Sequence, residues 1–364
     1  MDSKIWQKNY DKGVPTTIEY PKAPLFHFLE EAARKYPDRA CTIFKGAVIS
    51  YREMNAMSDH MAAALVDMGV KKGDRVGLFM PNLPQFVVAY FGILKAGGVV
   101  VAVNPTYPVD EILTPVNDAG IEIMFTLTRF YGKLKEVRAK SKLKKIIVSN
   151  IKEALPPFTR LLFTLLKEKK DGDHLESLDS ADAWMQDLLA KFAASPKPTV
   201  DISPDDTALF QYSGGTTGVP KGAVAMHRNV VANTLQIKSW FTGLNEGEEV
   251  VLMGIPLFHV YGMVAGMNFA MSSGASMVMI PNARDLKDVL ENISKYKATI
   301  FPGVPLLYNG INNHPDVKAG KYNLSSIKAC ISGSAPLMRE TKEEFERLTG
   351  GKVFEGFGMS EAPT

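Results

Sequence analysis

Between residues 75 and 149, short apolar runs alternate with longer stretches of helical spacing, and this alternation constrains the fold more than any other feature. Residues 75–80 (RVGLFM) have the length and composition of a buried strand. Residues 84–96 carry helical spacing and end at Gly97-Gly98, a helix stop. A β-branched run at 99–103 follows, then a helix near 111–119, a strand at 121–127, a helix over 129–141 and a strand at 145–149. Strands separated by helices of this length predict a parallel sheet with helices packed on its faces. The pattern repeats downstream, with strands expected at 207–212, 250–255, 276–280, 298–301 and 327–331 and helices at 285–297 and 338–348. The expected fold class is α/β, with two parallel-sheet lobes. Residues 1–200 form the first and 201–364 the second, with a seam in the Pro- and Ser-rich segment 194–204. Open sheets of this kind bind ligands beyond the carboxyl ends of their strands.

One such end is expected at 208–211 (ALFQ), and the residues that follow are the most chemically specific in the chain. Residues 212–222 read YSGGTTGVPKG. Gly214, Gly215 and Gly218 free the backbone for close approach. Ser213, Thr216 and Thr217 add hydroxyls, and Lys221 adds one positive charge. Amides lining a concave loop, with a lysine to neutralise charge, suit a polyphosphate. The loop is not of the Walker A type, because Pro220 and Gly222 flank the lysine where Gly and Ser or Thr would be needed.

The composition, 46% apolar and 22% charged, is ordinary for a globular protein. A net charge of +3 is too small to argue for a nucleic-acid partner. Cys41 and Cys330 stand alone, without metal-ligand spacing, compatible with a reducing cytoplasm. The first thirteen residues lack the apolar core of a secretory signal. Residues 260–283 are uncharged and rich in Met, but Asn268, Ser272, Ser273, Gly274 and Ser276 interrupt them. They predict a buried helix, a turn and a short buried strand instead of a membrane span.

An insert near 151–175 stands apart. Phe158, Leu161, Leu162, Leu165 and Leu166 fall on one helical face, and Lys167, Lys169 and Lys170 follow directly. Such a stripe ordinarily packs on its own protein, with the basic end solvated. The other reading is a helix lying on an anionic surface, such as the inner face of a membrane.

Residues 212–222 resemble the signature of the adenylate-forming superfamily of acyl-CoA synthetases, luciferases and adenylation domains. Three further segments fit it in order: PLFHVYGM (256–263), SGSAPL (332–337) and EGFGMSE (355–361). Residues 81–108 also resemble it, and the paired glycines after Ser213 are most similar to long-chain fatty acid–CoA ligases. The resemblance implies ATP-dependent activation of a medium- to long-chain fatty acid to acyl-AMP, with release of pyrophosphate, and then transfer to coenzyme A. It also implies Mg²⁺, with Thr216 and Glu361 as its protein contacts.

On the same resemblance, Tyr212, Ser213, Gly214, Gly215, Thr216, Thr217, Gly218, Lys221 and Gly222 hold the β- and γ-phosphates. Gly333, Ser334 and Ala335 run along the adenine, and Phe357 and Gly358 stand where the base stacks. Phe357 replaces the usual Tyr, and Ser360 replaces a Thr that bonds the α-phosphate or the acyl carboxylate. Lys221, His259, Ser360 and Glu361 are the candidate catalytic residues. A lone histidine among apolar residues reads as a core residue; the surrounding motif makes His259 a gate beside the substrate carboxylate. His27, His60, His174, His227 and His314 have no such context.

The acyl pocket is expected at 260–271 and 303–308, with Met263, Met267 and Met271 on one helix face, a pattern equally suited to a core. Few charges in these segments disfavour an amino-acid substrate. An aryl acid, or a non-catalytic nucleotide-binding fragment, are the other readings. The family's ribose-gripping Asp, hinge and mobile C-terminal domain with its Lys match nothing in the chain, which is expected to be the large N-terminal part and to turn over poorly by itself.

Overall fold

A computed structural model describes residues 4–213 and 220–363. Fourteen strands appear among them: β1 (Ala40–Phe44), β2 (Ala47–Ser50), β3 (Arg75–Phe79), β4 (Val99–Ala102), β5 (Ile123–Leu127), β6 (Lys145–Ser149), β7 (Ala183–Trp184), β8 (Thr207–Tyr212), β9 (Gly222–Met226), β10 (Val250–Met253), β11 (Ser276–Met279), β12 (Ile300–Gly303), β13 (Ala329–Ser332) and β14 (Lys352–Glu355). They form two seven-stranded sheets, in the orders β7-β6-β5-β3-β4-β8-β9 and β14-β13-β12-β10-β11-β1-β2. Each is parallel except at one edge, where β9 pairs antiparallel with β8 and β2 with β1.

Sheet membership departs from the expectation of one lobe per half of the chain. β1 and β2 belong with β10–β14, because β1 pairs in parallel with β11 through Thr42↔Met277 and Ile43↔Val278. β8 and β9 belong with β3–β7, because β8 pairs with β4. The segment 194–204 therefore precedes β8 without dividing the sheets. Strand propensity and spacing are local, whereas the partner of β1 lies more than two hundred residues away.

Local chemistry explains three helices that shape the core. Helix Tyr51–Asp67 starts with a capping box: Ser50 Oγ accepts from Glu53 N, and Glu53 Oε2 accepts from Ser50 N at 2.7 Å. It packs on helix Pro84–Lys95, which is buried along its whole length. A Cβ on Gly92 would come within 2.8 Å of Met61, so glycine sets that close approach. Lys95 ends the helix with its ammonium group buried, bonded to Asp59 (2.6 Å), Asn55 Oδ1 (2.8 Å) and Ser58 (2.8 Å). Helix Leu286–Tyr296 is capped by the Asp285 side chain and stops at Lys297, which has φ +51°.

Residues 262–279 follow the expectation for the uncharged Met-rich stretch. A π-helical segment Gly262–Asn268 continues into helix Phe269–Ser273, Gly274 turns at φ +65°, and β11 follows. None of the helices described is long and apolar enough to cross a membrane.

The insert corrects one expectation. Helix Pro157–Leu166 forms where the stripe predicts it, but buries none of its residues. Phe158, Leu161, Leu162, Leu165 and Leu166 are all exposed, so the stripe is not packed on the protein.

Candidate active site

Three motif segments leave the same edge of one sheet. PLFHVYG follows β10, SGSAPL follows β13 and EGFGMSE follows β14, and these strands run parallel. Their carboxyl ends are the edge at which an open parallel sheet binds ligands.

His259 joins the first loop to the third. Its Nε2 lies 3.2 Å from Ser360 Oγ, and its Nδ1 accepts from Tyr261 N at 3.2 Å. With Nδ1 an acceptor, the neutral ring carries its proton on Nε2 and donates to Ser360. Burial pushes the imidazole below its usual pKa, which favours that neutral form.

Tyr261 ties the first loop to the second. Its hydroxyl lies between the carbonyls of Gly303 (3.0 Å) and Ile331 (2.7 Å), at the ends of β12 and β13. A Cβ on Gly333 would meet the Tyr261 ring at 3.2 Å, so the glycine lets the SGSAPL backbone pass. Gly333 N donates to Gly303 O, and Gly356 N donates to Ser332 O at 2.8 Å. Ser334 adopts φ +69°, a conformation uncommon outside glycine, and it and Ala335 are exposed. Glu355 steadies the turn by accepting from Leu337 N at 3.0 Å.

Phe357 is 96% exposed, a free aromatic face beside Gly358. Glu361 is exposed and Ser360 half-buried, next to a bridge between Met359 and Ala362. Aromatic side chains normally repay burial, so one left open at a sheet edge is suited to stacking on a planar ligand.

Two positioning residues escaped the sequence reading. Tyr261 is one. The other is Asn82, on the loop after β3 in the neighbouring sheet. Its Nδ2 donates to the carbonyls of Met253 (2.9 Å) and Ile255 (2.8 Å), and its Oδ1 accepts from Leu257 N (2.7 Å). Asn82 thus fastens the loop bearing His259 to the other sheet, and only the segment 81–108 hinted at it.

The phosphate-loop candidates divide. Gly214, Gly215, Thr216, Thr217 and Gly218 lie outside the described residues. On either side, β8 and β9 form a hairpin in which Tyr212 faces Gly222 and Ser213 N donates to Lys221 O at 3.2 Å. Ser213 is buried and Lys221 exposed. A Cβ on Gly222 would press on the Tyr212 ring at 3.0 Å. The Tyr212 hydroxyl is committed to Asp118 at 2.5 Å, and burial and that carboxylate raise its pKa. Tyr212 therefore braces the hairpin against helix Val109–Asp118.

The acyl-pocket candidates divide: Met263, Met267 and Met271 are buried in one apolar cluster, and Leu307 and Tyr308 are buried in another, whereas Leu306 is exposed. A 280 Å³ cavity elsewhere is lined by His27, Glu31, Tyr36 and Ser272 among others.

Comparison with known proteins bears on the family and the fold. The chain is 37% identical over 366 residues to a long-chain-fatty-acid--CoA ligase of Bacillus subtilis, covering 100% of this chain and 64% of that protein. Among solved structures, an anthranilate CoA ligase in complex with anthranoyl-AMP superposes with a TM-score of 0.80 at 22% identity, over 94% of this chain and 61% of that one. A long-chain-fatty-acid-CoA ligase from Archaeoglobus fulgidus gives 0.78 at 23%, over 97% and 67%. At these identities the structures show the shared fold alone, and the chain spans about two-thirds of the length of the curated relative. The profile of the AMP-binding enzyme family matches residues 29–364, and the chain belongs to that family.

Proposed function

We propose that this chain forms the nucleotide- and acid-binding part of an AMP-forming acid–CoA ligase acting in the cytoplasm on a medium- to long-chain fatty acid. The carboxylate attacks the α-phosphorus of ATP and pyrophosphate leaves; the thiol of coenzyme A then displaces AMP from the acyl-AMP. Such chemistry needs positioning and charge stabilisation, with no protein nucleophile. The observation that carries this reading is the convergence of PLFHVYG, SGSAPL and EGFGMSE at one sheet edge, joined by the His259–Ser360 contact.

In this reading Lys221 and the loop before it neutralise the phosphates, Phe357 stacks on the base, and neutral His259 with Ser360 orients the carboxylate. Mg²⁺ suits the donor set. Among the described residues no cluster of three or more His, Cys, Asp or Glu forms a closed metal cage. A hard cation that binds phosphate oxygens and keeps its waters needs only one or two protein oxygens, which Glu361 and Thr216 would supply. The fatty acid is favoured because residues 260–271 bear no charged side chain to pair an ammonium group. The relative from Bacillus subtilis carries a fatty-acid ligase name, which favours the same class over an aryl acid.

Acid-dependent exchange of pyrophosphate into ATP, measured in the ligase of which this chain is proposed to be the part, tests this with laurate, palmitate, benzoate and an amino acid. Exchange with laurate or palmitate, abolished by Lys221→Ala, is the expected result. Exchange with benzoate alone would move the substrate to the aryl acids, and undiminished exchange in the Lys221 variant would put the phosphates elsewhere.

A further inference from the structure

We propose that helix Pro157–Leu166 is an interfacial helix that docks the chain on an anionic lipid bilayer. Its apolar face would insert among acyl chains, and Lys167, Lys169 and Lys170 would lie against the headgroups. The proposal stands independently of the ligase reading.

Phe158, Leu161, Leu162, Leu165 and Leu166 sit at i, i+3, i+4, i+7 and i+8, a single face of the helix. Phe158, Leu165 and Leu166 are each at least 70% exposed. Scattered exposed leucines are ordinary, but five large apolar side chains on one face mark an interaction surface.

The fold holds this face outward from both ends. Before the helix, Leu155 packs against the core, and Pro156 lies beside the β1–β2 turn, 3.7 Å from where a Gly46 Cβ would be. Arg160, on the opposite side from the stripe, pairs with Glu153 at 2.5 Å. Beyond the helix, buried Glu168 accepts from Asn150 Nδ2 (2.9 Å) and Lys152 Nζ (2.7 Å). The backbone amides of Lys167 and Glu168 both close on Phe163 O. With both ends anchored, the stripe cannot roll inward without breaking a buried carboxylate's hydrogen bonds.

Charge selects the occupant. Lys152 and Arg160 are neutralised within the protein, whereas Lys167, Lys169 and Lys170 are exposed and enter no ion pair among the described residues. Asp171 is the one exposed acid directly beside them. A second copy of the chain would cover the leucines but bring two lysine triplets together. An anionic bilayer offers hydrocarbon and negative charge side by side. Ten residues of helix span roughly 15 Å, half of a hydrocarbon core of about 30 Å, so the helix lies in the interface and does not cross it.

Co-sedimentation of the whole chain with vesicles tests the assignment. Vesicles of phosphatidylcholine are compared with vesicles half phosphatidylglycerol, with free glycerol phosphate as competitor. Binding about tenfold stronger to the anionic vesicles, weakened by salt and unaffected by the competitor, is expected. Leu161→Glu with Leu165→Glu should cut that binding at least about tenfold while leaving the circular dichroism spectrum and melting temperature unchanged, since both side chains are exposed. Replacing the three lysines with Gln should reduce anionic binding to the neutral-vesicle level. Absence of vesicle binding, or binding that survives the paired Leu→Glu change, overturns the proposal. So does displacement by glycerol phosphate, which would make this a free-phosphate site. A dimer in sedimentation velocity that the Leu→Glu pair converts to monomer, without vesicle binding, would assign the face to a second copy.

Discussion

Asn82→Ala tests whether one side chain holds the candidate site's first loop against the opposite sheet. Three hydrogen bonds vanish, but their losses are unequal. Met253 O also accepts from Ile280 N at 3.3 Å and keeps a partner. Ile255 O and Leu257 N depend on the Asn82 amide in a site where that residue is 4% exposed. Two buried backbone groups left unmatched cost about 1–3 kcal/mol each, and about 3 kcal/mol in total allows for partial access of water. Unfolding entropy of roughly 2 cal/mol/K per residue, over this chain length, converts that to a fall in Tm of about 4 °C. Asn82→Asp is the informative control: an ionised carboxylate keeps the bond from Leu257 N but repels both carbonyls, so it should melt no higher than the alanine variant. Differential scanning calorimetry reads both. A loss under about 1 °C in both variants would refute the reasoning, because the loop would then be held by something other than this amide.

Two further predictions follow from groups outside the chemistry. His227 is buried, its Nδ1 accepts from Leu25 N at 3.1 Å, and burial pushes its pKa from 6.5 down to about 4. The unfolded chain therefore binds the extra proton first, so His227 lowers stability as pH falls from about 6.5 to about 4; His227→Gln should flatten that part of a urea-midpoint-versus-pH curve. Gly262→Ala places a Cβ 2.1 Å from the Pro256 carbonyl oxygen, which is backbone and cannot swing aside. A loss of at least about 3 kcal/mol is expected in chemical denaturation, and a near-neutral result would mean the turn before His259 is not as tight as described.

Legibility in the sequence tracked how local each determinant is. β6 and β8 were readable to the residue, because a short strand-forming run bounded by helix or turn residues states its own ends. Helix Leu286–Tyr296 was read one residue too long at each end, with its caps Asp285 and Lys297 counted as helix. The β1–β2 hairpin and its place beside β11 were not readable, since nothing in residues 40–50 encodes a partner so distant. Helix Pro157–Leu166 was visible as a stripe, but periodicity gives a face without saying what covers it. At the site, motif order supplied His259, Ser360 and Phe357. Asn82 and Tyr261 were missed because their work is to satisfy backbone groups, and such roles leave no pattern of charge or spacing.

The exchange of strands between the sheets has a consequence for biosynthesis. Ala40–Ser50 leaves the ribosome long before Ser276–Met279 exists to receive it, so the first hairpin made must wait for much later sequence. Neither half of the polypeptide can close its own sheet in isolation. Loop-closure entropy is spent early and repaid late, which slows assembly. A nascent chain stalled midway would expose the unpaired flank of β1, a natural target for a chaperone.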